Sequence, residues 1–282
     1  MILKGWIACL LLTASGCNIS SMKPGLMKDI EYGRAGNTSL RLDAHVPAGA
    51  GPYPVVIVVH GGGWSGGDKA VDLDPVLGPL SNGQFTWFSI NYRLAPANRW
   101  PDCYDDVRSA IRWVKLHAGE FKGDPRRVAL VGYSAGGQLV CLAATDSDPT
   151  ITVQAVVGIA PPTDLELDLP QRGGLSPSLQ GLLDEPKEVF DASRKMLHEI
   201  SAVNHIHSGM PPFLLIHGTA DKSVPFNGSV AFAAKLQAVQ VPCELVTIKD
   251  APHRLSEWEK FDPTFGSKMV SWLWTTLNSV QR

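Results

Sequence analysis

The chain has 282 residues, of which 44% are hydrophobic and 18% charged, with a formal net charge of −2. The length is enough for one α/β domain with a substantial core, and the composition is that of a globular rather than a disordered protein. So small a net charge leaves no electrostatic footprint for nucleic acid, and no nucleic-acid partner is expected.

In chain order the first element is a leader. Lys4 gives a positive start, residues 6–14 are apolar over too short a stretch to span a bilayer, and Ala14-Ser15-Gly16 place small residues ahead of Cys17. The pattern predicts a signal peptide over 1–16. The run Thr13-Ala14-Ser15-Gly16-Cys17 resembles a bacterial lipoprotein box, with alanine where the strongest form has leucine. That resemblance implies lipidation of Cys17. The expectation is an exported protein held to a membrane at the periplasmic or cell-surface side, or otherwise secreted. Residues 17–28, polar and carrying Pro24 and Gly25, read as a tether.

Residues 29–32 and 40–46 flank a turn at 33–37 and read as an antiparallel hairpin. From residue 55 onward, strands alternate with helices. The predicted strands are 55–59, 86–91, 128–131, 155–159, 213–216 and 243–248. The predicted helices are 102–117, 135–145, 227–239 and 264–277, with Val107, Ile111 and Val114, or Leu139, Leu142 and Ala143, at helical spacing. The fold class is therefore α/β, a mostly parallel sheet flanked by helices, in a domain over 29–282. Residues 163–210 interrupt the alternation, after Ala160-Pro161-Pro162 and with Arg172-Gly173-Gly174 and Asp184-Glu185-Pro186 inside. They predict a small cap insertion with one helix at 187–198.

Two motifs carry the chemistry. Gly132-Tyr133-Ser134-Ala135-Gly136-Gly137 follows the apolar run 128–131. G-x-S-x-G arises by chance in roughly one chain in ten of this length, but here it lies between a strand and a helix. A turn that sharp forces the serine into strained dihedrals and leaves no room for a Cβ at the flanking positions. Upstream, the β-branched run 55–59 leads into His60-Gly61-Gly62-Gly63-Trp64. Three glycines in a row let the backbone turn its N–H groups toward a carbonyl oxygen that gains charge, as an oxyanion hole requires.

Together the motifs resemble the α/β-hydrolase fold, in its esterase branch with an HGGG loop: hormone-sensitive-lipase-type carboxylesterases and bacterial feruloyl or acetyl-xylan esterase-like proteins. Asn91-Tyr92-Arg93-Leu94-Ala95-Pro96, Trp100-Pro101-Asp102, Asp124-Pro125-Arg126-Arg127 and Phe213-Leu214-Leu215-Ile216-His217-Gly218-Thr219-Ala220-Asp221 extend the likeness from about residue 53 to 277. The resemblance implies a serine ester hydrolase with Ser134 as nucleophile, Asp221 as acid and His253 as base, in the order Ser, Asp, His along the chain. The oxyanion hole would comprise Gly62, Gly63 and Ala135. No cofactor or metal is implied, because side chains handle both attack and proton transfer. Asp250 is the competing acid but lies too near His253 in sequence for the family pattern. His217 falls at the family's structural His-Gly position, and Asp164 at a structural position opening the insertion.

The remaining residues refine this picture. A short cap, with Trp64 and Tyr133 flanking the site, implies a restricted acyl pocket that favours acetyl and butyryl esters over long-chain ones. Arg254 stands where relatives commonly have glycine and is placed to meet a polar alcohol group. The expected partner is a small-molecule or carbohydrate ester, with the membrane engaged through Cys17. Arylformamide hydrolysis and prolyl-oligopeptidase-type peptidase activity are enzymatic alternatives. A surface-anchored binding protein is the non-enzymatic one, and it predicts an incomplete triad. Beyond Cys17 there are three cysteines, Cys103, Cys141 and Cys243, an odd number that argues against a disulfide framework. His205 and His207 read as surface residues. Arg93 reads as a buried structural partner of Asp105 or Asp106.

Overall fold

The structure, a computed structural model, describes residues 23–167 and 169–279. The predicted leader, Cys17 and residues 18–22 lie outside the described residues.

β1 (Gly25–Ala35) and β2 (Thr38–Val46) form the expected hairpin. β1 begins at Gly25, so the last four residues read as tether are strand. β3 (Tyr53–Val59), β4 (Thr86–Ile90), β5 (Gly123–Tyr133), β6 (Ala155–Ile159), β7 (Phe213–Gly218) and β8 (Cys243–Ile248) complete one sheet. Its order is β1-β2-β4-β3-β5-β6-β7-β8. Strands β3 to β8 pair in parallel, while β2 runs antiparallel to both neighbours.

The strand sequences follow from their place in this sheet. β3 is buried on both faces: Val55, Ile57 and Val59 face one core, and Val56 and Val58 the other. Successive side chains alternate across a strand, so a strand covered on both sides must be apolar throughout. β8 lies at the edge, where Glu244 and Thr247 are exposed.

Helices cover both faces. α1 (Asp74–Asn82) has no counterpart among the predicted helices. Pro75 suits the first turn, but Gly78 and Pro79 are poor formers in a helix interior, and burial of Val76 and Leu80 in the second core holds the helix instead. α2 (Asp102–His117) has the predicted bounds. α3 (Ala135–Ala143) ends two residues early. The cap is a correction: it has three short helices, not one. They are α4 (Leu169–Arg172), α5 (Pro177–Leu183) and α6 (Asp191–Ile200). α4 and α5 are too short to show helical periodicity, and Leu169, Leu179 and Leu182 are buried through tertiary packing. α7 (Phe226–Ala238) joins α2 and α3 on the first core, and α8 (Phe265–Ser279) joins α1 on the second.

Asp106 on α2 is the partner of Arg93. The Nε–Nη2 edge of the guanidinium donates to both oxygens of its carboxylate at 2.9–3.1 Å. Asp102 adds an ion pair at 2.8 Å, and Asp105 takes no part. This buried fork pins the chain that follows β4 to α2.

Candidate active site

Ser134 sits at the turn from β5 into α3, with φ 53° and ψ −119°. Non-glycine residues avoid this region, which costs about 1–3 kcal/mol unless the surroundings enforce it. They do so here. A Cβ on Gly132 would lie 2.3 Å from the Gly136 carbonyl oxygen, and one on Gly136 2.2 Å from that of Val59. The two glycines allow α3 to pass close over the end of β3, and that contact presents Ser134.

The serine hydroxyl donates to His253 Nε2 at 2.9 Å. His253 Nδ1–H donates to Asp221 Oδ2 at 2.6 Å. An ionised carboxylate accepts only, so Nδ1 carries the ring proton and Nε2 is left to accept from the serine. His253 lies in the loop after β8 and Asp221 in the turn after β7, as predicted. Asp250 is exposed and makes no bond to His253.

Asp221 is saturated with donors. Oδ1 accepts from the Ser223 and Val224 N–H groups at 2.8 and 2.9 Å. Oδ2 accepts from His253 and from His217 Nε2, the latter at 3.1 Å. Burial alone would raise this carboxyl, but the bonds from His217, His253 and Val224 outweigh it and hold Asp221 well below the usual carboxylate range.

The glycine loop supplies the opposite wall. Gly62 has φ 115°, and a Cβ there would lie 2.2 Å from the Gly66 oxygen. Its carbonyl accepts from Ser65 and Gly66 N–H, which turns the loop back on itself. The N–H groups of Gly62, Gly63 and Ala135 donate to no acceptor among the described residues, and all three residues line the cavity that holds Ser134 and His253. That cavity has a volume of about 750 Å³. Leu165, Leu167, Ser178 and Leu179 of the cap close its far side.

The three residues predicted for the pocket all line it, in different ways. Trp64 is a wall: it is 5% exposed, and its indole N–H donates to Gln138 Oε1 at 3.0 Å. Tyr133 stacks on the His253 ring and donates its hydroxyl to the His253 carbonyl oxygen at 2.8 Å, so it braces the histidine loop. Burial, the leading cause, pushes its phenol up to about 12. Arg254 projects from the rim, largely exposed, 3.8 Å from Glu257.

Gln138 escaped the sequence reading, and His217 was expected only as a structural residue, without its contact with the acid. Gln138, fully buried, also donates to the Ile200 carbonyl at 2.7 Å, and so ties the glycine loop's tryptophan to the cap. Its signal was a lone polar residue on an otherwise apolar helix. His217 reaches the acid directly, and its signal was the four-residue spacing to Asp221.

The geometry has parallels among known proteins. Residues 42–236 match the BD-FAE family model. The chain is 34% identical over 226 residues to the probable carboxylic ester hydrolase LipM of Mycobacterium tuberculosis, over 74% of this chain and 50% of that one. The chain spans about half the length of the relatives it matches. A truncated carbohydrate esterase from gut microbiota shares the fold, with a TM-score of 0.77 at 21% identity over 93% of this chain and 99% of that one. The thermophilic esterase Est2 of Thermogutta terrifontis has a TM-score of 0.69 at 26% identity, over 89% of this chain and 90% of its own.

Proposed function

The chain belongs to the BD-FAE family of α/β-hydrolase esterases, and from that premise we propose that it hydrolyses carboxylic esters through Ser134, His253 and Asp221. The observation that carries the reading is the continuous hydrogen-bonded series from Ser134 to Asp221 beside three backbone N–H groups with no acceptor among the described residues. In this mechanism Ser134 Oγ attacks the ester carbonyl carbon while His253 Nε2 takes its proton. The carbonyl oxygen gains charge and receives hydrogen bonds from Gly62, Gly63 and Ala135. Collapse of the tetrahedral intermediate expels the alcohol, which takes the proton from His253, and water then releases the acid by the same route. Asp221 stays ionised throughout, fixes the tautomer and stabilises the imidazolium.

The proposed substrates are short-acyl or carbohydrate-linked esters. The short cap and the bulky walls at Trp64 and Tyr133 support a small acyl pocket. The gut neighbour is itself called a carbohydrate esterase, and the Thermogutta esterase is also known with propionate bound. Arg254 at the rim is placed for the alcohol side. An export signal and a lipid on Cys17 would bring this site to esters outside the cytoplasm.

The test is kinetic. Ser134→Ala lowers kcat by several orders of magnitude, on the order of 10⁶-fold as for a triad serine elsewhere, and abolishes labelling by a fluorophosphonate. On the wild type, p-nitrophenyl acetate and butyrate turn over far faster than long-chain esters. Persistent labelling of Ser134→Ala defeats the nucleophile assignment, and kcat/KM rising steadily with acyl length defeats the substrate assignment.

A further inference from the structure

His217 is a second histidine on the same carboxylate, and its surroundings are unlike those of a core residue. It closes the apolar strand β7, fully buried. An apolar side chain would fill that position without the cost of burying an imidazole. Instead each ring nitrogen meets a polar group. Nε2 faces Asp221 Oδ2 at 3.1 Å and the Val224 carbonyl at 3.2 Å. Both are acceptors, so Nε2 carries a hydrogen. Nδ1 lies 2.8 Å from the hydroxyl of Ser229, itself fully buried on α7. In the neutral ring that hydroxyl donates to Nδ1, and this bond leaves the proton on Nε2. The Phe226 ring meets the imidazole edge-on and fixes its plane.

Ser229, His217 and Asp221 thus repeat, on the far side of the acid, the series Ser134, His253 and Asp221. Both histidines donate to one oxygen, Oδ2. We propose that His217, held in its tautomer by Ser229, is a positioning residue for the reaction, and it rests on the ester-hydrolase reading above. Its bond aims Oδ2 at His253 and lowers the basicity of that oxygen, so the Nδ1 proton stays on the imidazole when Nε2 takes the serine proton. The bond also fills an acceptor site that would otherwise be left unsatisfied in the interior.

The test uses the full chain and four variants. His217→Leu removes the donor, while His217→Gln places an amide N–H where Nε2 stands. In His217→Leu, kcat falls about 100-fold, the cost of misplacing a catalytic group by about 1 Å, and KM stays near wild type. The downfield proton resonance of His253 Nδ1–H, assigned by its absence in His253→Ala, moves further downfield because Oδ2 has lost a competing donor. His217→Gln restores most of the rate and returns the resonance toward its wild-type position. Ser229→Ala gives a smaller change of the same sign in both readouts, and it decides the matter if His217→Leu does not fold.

An unchanged kcat and unchanged resonance in folded His217→Leu or Ser229→Ala overturns the proposal, and so does a Gln variant that behaves like Leu. The resonance needs no substrate. A wild type without esterase activity therefore refutes the ester-hydrolase reading while the resonance still reports on His217.

Discussion

Asp221 draws four hydrogen bonds onto two oxygens in a site where its side chain meets no solvent. Its hydrogen bonds favour the charged form by more than burial disfavours it. The folded-state pKa therefore lies below the unfolded value of about 3.9. A depressed pKa contributes stability that is fully present above the unfolded value and is lost as pH falls through it toward the folded one. Asp221→Asn removes this contribution. The gap in unfolding free energy between wild type and Asp221→Asn should then be widest near neutrality and narrow below about pH 4. Denaturant titrations from pH 7 down to pH 3 measure it, and a gap that is constant with pH contradicts the assignment.

At the scale of the element, the β5–α3 turn shows how a local motif depends on packing. Ser134 adopts its dihedrals because α3 is pressed against the ends of β3 and β5, with no room for side chains at Gly132 and Gly136. Gly136→Ala would set a methyl 2.2 Å from the Val59 oxygen and 2.4 Å from the His60 oxygen. It is expected to destabilise by about 3 kcal/mol or more, since two rigid backbones must separate. Gly119→Ala is the control: nothing lies within 4 Å of the added carbon, and the change should stay within about 0.5 kcal/mol. Urea midpoints of the two variants compare them directly. Equal effects would show that the turn tolerates a side chain. The cap works differently. Its helices are too short to stand alone, and the Gln138 bridge to Ile200 and Trp64 couples their position to that of the glycine loop.

Over the whole molecule, the site is a consequence of sheet order. The glycine loop, Ser134, Asp221 and His253 follow β3, β5, β7 and β8, and the parallel pairing brings all four loops to the carboxyl edge of the sheet. If Cys17 carries lipid, expressed full-length protein should partition into detergent, and Cys17→Ser should move it to the aqueous fraction. Each buried methylene adds roughly 0.8 kcal/mol of membrane affinity, and stable anchoring takes more than one chain. A wild type found wholly in the aqueous fraction without incorporated fatty acid refutes the anchor.

What the sequence determined by itself was whatever depends on a few consecutive residues. The buried parallel strands are legible because two-sided burial demands runs such as 55–59. α2 is legible because Val107, Ile111 and Val114 repeat at the helical period. Ser134 is legible because the backbone contacts around it exclude everything but glycine at two nearby positions. The order Ser, Asp, His allowed Asp221 and His253 to be named from their places after strands. Tertiary structure alone decided the rest. Ser134 and His253 are 119 residues apart, and their 2.9 Å bond exists because β8 is the third strand beyond β5 in the sheet. α1 and α4 form with little local preference because the core and the cap bury their apolar side chains, and α5, although capped by Ser176, is too short to announce itself by periodicity. His217 and Gln138 acquire their roles only from what lies across from them, since a buried polar group has meaning through its partner, and that partner is chosen by the fold.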